Sequence, residues 1–322
     1  MAEAVTDKRE EELARIQEME SSPEYQQKLQ LLREKMKMNL RWKTKLLISG
    51  VASMCFFFFF KFVGLLFAAV FLFFYLYPAY KQRKELFDGK KESNELLYLE
   101  QFLTPILRQI YPNGTMSVKQ DFSIDAVKTV TPSSENYRGS TELSLHDEKD
   151  LSVMNLYAYH VVENTDSKGR KERKEVTDFY GQVFRLRFPI AFNGHIRIVP
   201  TKKTGILKRE VQNYPSKLRN EVKIDTEDIE HNEHYNIYCT DELTARRFLN
   251  PTVLRWFDGH ISDSATAIYI QDDWMYISRY TGSFLFPTPK SVEDVDKLSV
   301  VEEYKKLREE LDFIDSFTDV FA

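Results

Sequence analysis

The run from Leu46 to Tyr80, LLISGVASMCFFFFFKFVGLLFAAVFLFFYLYPAY, constrains this chain more than any other stretch, and it holds one charged residue, Lys61. Apolar runs of this length serve to cross a bilayer and are seldom needed in a water-soluble core. A hydrocarbon core of about 30 Å takes roughly 20 helical residues, so a run of about 30 or more overshoots one upright span. Two arrangements fit. Residues 42–60 and 62–80 form a helical hairpin with Lys61 at its tip, or residues 62–80 span alone while the earlier half lies along the interface. A lysine at mid-bilayer costs about 2.5 kcal/mol or more, and a hairpin tip relieves that by returning the ammonium to water. Arg41, Lys43 and Lys45 precede the run, and Lys81, Arg83 and Lys84 follow it. Positive flanks stay on the cytoplasmic side, so two of them favour an even number of crossings. The Phe56–Phe60 run reads as lipid-facing bulk, with Trp42, Tyr75, Tyr77 and Tyr80 as interfacial aromatics.

The net charge of −4 carries no global nucleic-acid signature. Of the two cysteines, Cys55 lies in the apolar run and Cys239 in a predicted strand. A disulfide framework is therefore not expected, which fits a reducing compartment. A long charged segment precedes the first apolar residues, so a cleavable signal peptide is not expected either.

These features divide the chain into a polar, basic N-terminal helical region (1–41), the membrane segment (42–80), a juxtamembrane helix (81–112), an α+β soluble domain (113–290) and a C-terminal amphipathic helix (291–322). Ser22-Pro23 breaks the first region and starts a helix with Tyr25, Leu29, Leu32, Met36 and Leu40 at spacings of three and four. Its basic second half suits either an anionic lipid surface or plain solvation. The juxtamembrane helix has a broad apolar face of Leu96, Leu99, Phe102, Leu103, Ile106, Leu107 and Ile110, expected to pack on the soluble domain.

In the soluble domain, residues 131–150 read as a loop. Leu151–Val162 and Val176–Phe188 form an antiparallel hairpin, with Phe184, Leu186 and Phe188 on one face and Arg185 and Arg187 on the other. Ile196–Ile198 reads as a separate short strand ended by Pro200, and Tyr235–Cys239 as another. Asp241 caps a short helix, and Asn250-Pro251 starts a second. Ala267–Ile270 and Trp274–Ser278 form a hairpin around Asp272-Asp273. A capping box, Ser291-x-x-Asp294, opens one helix running to Phe321.

Three blocks then point to a family. They are Phe179-Tyr180-Gly181 with Phe184–Phe188 and Ile196–Pro200; Tyr238–Glu242 with Ala245 and Leu249-Asn250-Pro251; and Trp274–Ser278 with Phe284–Pro287. In this order behind an apolar segment, they resemble the bacterial membrane proteins grouped as domain-of-unknown-function family 3137, over residues 85–319. The resemblance implies two apolar spans, which favours the hairpin, and it brings no activity and no site residues.

The residues themselves assign no catalytic, cofactor or metal position. His231 and His234 could share a helix face with Glu230 or Glu233, but no third ligand stands at useful spacing. His195 and His260 lie beside glycines at turns, and Asp241, Asp258, Asp272 and Asp273 read as caps and turns. Hydrolase, phosphate-loop, dinucleotide and zinc signatures are missing. Arg185, Arg187, Arg197, Lys202, Lys203, Lys208 and Arg209 form a basic region suited to headgroups or to solvent, and a nucleic-acid partner is disfavoured. The expected protein is anchored in the cell membrane, with a cytoplasmic domain that binds a protein partner, a second copy or the membrane surface. The alternatives are a membrane-bound hydrolase with an unrecognised site, and an accessory transport subunit with Lys61 in a pore.

Overall fold

The computed structural model describes residues 2–41, 47–48, 51, 73–74, 77–81, 84, 92–118, 123–147, 150–165, 171–200, 214–215, 217–226, 234–260 and 265–319. Most of the expected span 42–80, Lys61 included, lies outside the described residues. Among the described residues no helix is long and apolar enough to cross a membrane, so neither the hairpin nor the single span is seen as an element.

The fold is α+β, with flanking helices and a large antiparallel sheet. Among the described residues, and apart from short helical pieces between 47 and 84, the helices in chain order are α1 (Ala2–Ser21), α2 (residues 23–41), α3 (Asn94–Leu96), α4 (Thr104–Ile110), α5 (Ile124–Val130), α6 (Glu242–Phe248), α7 (Pro251–His260), α8 (Val292–Asp296) and α9 (Val300–Asp319). The strands are β1 (Thr115–Ser117), β2 (Asn136–Ser144), β3 (Ser152–Thr165), β4 (Lys171–Pro200), β5 (Val222–Ile224), β6 (Tyr235–Cys239) and β7 (Ala265–Tyr280). They fall into two compact units: Met1–Pro112 with Pro287–Leu307, and Asn113–Phe286 with Arg308–Ala322.

The first unit is helical. The three-and-four spacing on α1 and α2 buries Ile16, Leu29, Leu32 and Met36. A π-turn, Leu97–Leu103, joins α3 to α4 and buries Leu97, Tyr98, Leu99, Phe102 and Leu103. Pro105 has no N–H for the helical ladder, and the Thr104 N–H and hydroxyl both donate to the Leu99 carbonyl instead, closing the wider turn. The two ends of the chain meet here. The Glu20 carboxylate accepts from the Ser299 hydroxyl (3.2 Å) and the Val300 N–H (2.9 Å), and the Tyr304 hydroxyl donates to Glu12 (3.1 Å). Tyr98 donates to the buried Glu303 at 2.8 Å. Asn39 donates to the Glu92 carbonyl (2.9 Å) and to Asn94 Oδ1 (3.0 Å), while Asn94 donates to the Met36 carbonyl (3.1 Å). The N-terminal helices thus use one face as core. Within this unit α4 packs with α1. The single C-terminal helix expected from Ser291 is two helices, with the capping box opening only α8.

In the second unit the order is β1-β2-β3-β4-β6-β5, all antiparallel, with β7 also on β4. β4 organises it. β3 pairs with it over Lys171–Arg185, β6 pairs over Ile196–Pro200, and β7 pairs from Gly181 to Ile198. The separate strand expected at Ile196 is therefore the far half of one long strand. Register shifts at Arg187/Phe192 and Phe192/His195 bend β4, where Gly194 has φ +79°. Across from that corner, Asp272 sits at φ +55°. The Asp272-Asp273 pair is thus a bulge inside β7, not a hairpin turn. Both strands keep pairing past the corner, with Phe192 opposite Asp272, and a bulge supplies the bend a closed hairpin would otherwise need.

One sheet face, with Met154, Leu156, Ala158, Phe179 and Val183, packs on Val127 and Val130 of α5. On the other face Phe184 meets Phe313 of α9, and Phe188 and Phe192 meet Phe248 of α6. The segment 281–286 folds over the same face. Asn155 grips it by donating to the Leu285 carbonyl (2.9 Å) and accepting from the Leu285 N–H (2.8 Å), and Gln182 donates to the Ser283 carbonyl (2.7 Å). The expected 131–150 loop contains β2. Its polar residues hide the strand, but the ladders to β1 and β3 satisfy its backbone, and the buried Ser144 and Ser152 hydroxyls pair at 3.0 Å.

Candidate functional site

A buried charge cluster joins β4 to the segment before β5. Arg197 and Glu221 have fully buried side chains. Arg197 donates from Nε (3.1 Å) and Nη2 (2.8 Å) to the two Glu221 oxygens, and from Nη1 to the Pro215 carbonyl (2.7 Å). His195 Nε2 meets Glu221 Oε1 at 3.0 Å, and the Leu218 N–H donates to Oε2 at 2.6 Å. The guanidinium lies 4.7 Å from the Tyr238 ring centroid. Burial acts to raise the Glu221 carboxyl, but the hydrogen bonds from His195, Arg197 and the Leu218 amide, with the Arg197 charge, outweigh it and hold it down at about 2. The Glu221 carboxylate and the Arg197 guanidinium are taken up by hydrogen bonds to each other, to His195 and to the backbone of Pro215 and Leu218, so the cluster braces β4 against the segment before β5.

A second cluster has the residue types of a hydrolase in the wrong order. The Ser134 hydroxyl donates to Asp178 Oδ2 at 2.8 Å, and His160 Nδ1 meets Asp178 Oδ1 at 2.8 Å. The carboxylate sits between the other two, so the serine proton is held by the acid and the imidazole does not reach the hydroxyl. Nucleophile activation needs the base on the hydroxyl.

The basic region is not one surface. Arg185 and Arg187 lie 5.0 and 5.1 Å from the Trp274 ring centroid, and Arg187 pairs with Asp273 at 2.8 Å. Arg197 is in the buried brace, while Lys202, Lys203, Lys208 and Arg209 lie outside the described residues. Phe184, Leu186 and Phe188 are buried, with Arg185 half-buried and Arg187 exposed, as the alternation predicts. His231, Glu230 and Glu233 also lie outside the described residues, and among those described no group of three or more His, Cys, Asp or Glu could hold a metal. Asp241 caps α6, accepting from the Leu243 and Thr244 amides. Asn250 caps α7 through Thr252 and Val253. Asp258 and His260 lie in α7, and Cys239 is buried in β6, where burial raises its thiol.

Among the described residues an open apolar groove of about 670 Å³ lies in the helical unit. Met19 of α1, Tyr25, Leu29, Leu31, Leu32 and Met38 of α2, and Pro105 of α4 line it, with Lys28, Glu34 and Lys35 at its rim. Leu31 and Met38 remain 55% and 52% exposed. Burial first, then the Glu20 charge, pushes the Tyr25 hydroxyl up to about 12. The sequence pattern identifies α2 as amphipathic but does not reveal the groove, because its other wall comes from α4, far away in the chain. Glu221, Asp178 and Ser134 carried no sequence signal, since none stands in a recognisable spacing.

Compared with known proteins, residues 177–320 match the family model described as "Protein of unknown function (DUF3137)". All three motif blocks read from the sequence lie inside those residues. The expected reach back to residue 85 is not part of the match. No curated protein matches the chain. A solved structure, the crystal structure of the mycobacterial trehalose monomycolate transport factor A, TtfA, matches over 48% of this chain and 74% of that chain. Its identity is 12% and its TM-score 0.23, too loose a likeness to carry an argument.

Proposed function

We propose a membrane-anchored, non-enzymatic binding module; the match of residues 177–320 to the family model of proteins of unknown function DUF3137 hands down no activity. The residue 46–80 run fixes the chain in the cell membrane, as a hairpin that leaves both ends and the α+β unit in the cytoplasm. The observation that carries this reading is the run itself, with cations on both flanks and one charge within it. Two features support a binding role over chemistry. The buried Glu221 cluster and the half-buried Asp178 cluster each spend their carboxylate on hydrogen bonds to neighbouring side chains, and an open apolar surface lies in the unit that holds the run. The hydrolase alternative loses ground because the Ser134 hydroxyl is held by a carboxylate rather than by a base. The transport alternative turns on Lys61 and awaits a measurement there.

The test is topology in sealed vesicles. Glu11→Cys and Lys174→Cys variants, in a background lacking Cys55 and Cys239, are treated with a membrane-impermeant maleimide. Both positions are expected to label from the cytoplasmic face only, and the chain is expected to resist carbonate extraction. Labelling from opposite faces refutes the hairpin, and release by carbonate refutes the anchor.

A further inference from the structure

We propose that the groove between α2 and α4 takes an acyl chain of an anionic phospholipid, with the headgroup phosphate at Lys28 and Lys35; this rests on the membrane-anchored reading. Three observations carry it. The first is the pattern along α2. Lys28, Leu31, Lys35 and Met38 follow at spacings of three, four and three, which puts them on one helix face. That face alternates a cation with an exposed apolar side chain, beside a groove floored by Leu29, Leu32, Met19 and Pro105. A protein-binding helix face usually concentrates its apolar anchors. Here each apolar group stands next to a charge, the arrangement of a surface that meets tails and phosphates together.

The second is charge. The counter-ions of the two lysines are exposed: Lys28 pairs with Glu24 at 2.6 Å and Lys35 with Glu92 at 3.3 Å. Ion pairs in such surroundings are weak and easily exchanged for a phosphate. Arg33 and Lys37 turn instead to the Leu298 carbonyl and Asp296, so they are used within the helical unit. The groove volume of about 670 Å³ also falls in the range of about 300–1,000 Å³ that holds small ligands.

The third is reach. Met38 precedes the first residue of the apolar run, Leu46, by so few residues that even a fully extended link spans no more than about 28 Å. With the run in the bilayer, the groove stays near the headgroup layer. Lipid is then the ligand present at high local concentration on every encounter.

The full chain, reconstituted in vesicles of phosphatidylglycerol and phosphatidylcholine, is exposed to a phosphatidylglycerol bearing a photoreactive group in its acyl chain, and adducts are mapped by mass spectrometry. Adducts are expected on residues 19–38 and 101–105 as well as on the run. The Lys28→Glu/Lys35→Glu pair should cut groove adducts by about 30-fold or more, since two basic contacts at an anionic surface are worth that factor and reversal adds repulsion. Leu31→Asp/Met38→Asp should also abolish them. All four positions are exposed, and unchanged melting curves verify that the fold is kept. Adducts confined to residues 46–80 overturn the proposal, as does labelling indifferent to the lysine reversal. Crosslinks from the groove to another polypeptide in place of lipid overturn it in favour of a protein occupant. A chain that resists carbonate yet leaves the groove unlabelled sinks this inference alone, whereas release by carbonate sinks the anchored reading beneath it.

Discussion

Glu221→Gln removes one charge from a pair with no solvent to fall back on. The Arg197 side chain is fully buried, and its guanidinium donates to both Glu221 oxygens. Breaking a buried pair by neutralising one partner typically costs about 3–5 kcal/mol, because the other charge stays buried. The direction of titration agrees: against the upward push of burial, hydrogen bonds from His195, Arg197 and the Leu218 amide hold the Glu221 carboxyl well below its ordinary value, so the folded state favours the ionised form that Glu221→Gln removes. A loss of 3–5 kcal/mol in a unit of this length lowers the melting temperature by roughly 6–20 °C. Trp256 and Trp274 both lie in this unit, so tryptophan fluorescence of the full chain in detergent reads the transition. The sign with pH follows. A depressed folded-state pKa gives stability that is fully present above about 4.5 and fades as pH falls towards 2. The gap between parent and Glu221→Gln should therefore be widest near neutrality and close across that window. An Arg197→Met/Glu221→Leu double variant should melt above either single variant, since it leaves no stranded charge. A Glu221→Gln melt within about 2 °C of the parent, or a gap that stays constant from pH 6 to 2.5, would refute the brace.

Gly181→Ala should unfold the sheet unit or lower its melting point sharply: the added Cβ would lie 2.0 Å from the Arg279 carbonyl oxygen, between β3 and β7, and overpacking there exceeds the usual 1–3 kcal/mol; limited proteolysis reads it. Asp241→Ala should lower the melting temperature through loss of the α6 cap, while Asp241→Asn should hold near the parent value in the same thermal melt. Asn155→Leu should cost about 1–3 kcal/mol by leaving the Leu285 N–H and carbonyl without partners, and hydrogen exchange should speed up first across 281–286.

What the chain disclosed on its own tracks the range of the forces involved. Local signals could be read: the caps at Asp241, Asn250 and Ser291, the break at Ser22-Pro23, and the alternation through Phe184–Phe188 all act within a few residues. The misreadings share a different cause. Asp272-Asp273 looks like a turn because two aspartates are poor strand residues, yet β4 bends at the same level and keeps β7 paired through it. β2 looks like a loop because its polar residues are satisfied by strands that lie on either side of it. For Asp272-Asp273 the deciding partner, β4, is distant in sequence, while β2 is decided by its neighbours β1 and β3 and not by its own residues. The candidate site follows the same rule. The apolar stripe of α2, Tyr25, Leu29, Leu32, Met36 and Leu40, and its basic second half were visible, but the groove needs Pro105, and a π-turn ahead of that proline to set the wall. A proline inside a helix usually weakens it. Here it stands where a wall of the groove needs no further donor, so the residue that disturbs the ladder also shapes the surface on which the lipid proposal rests.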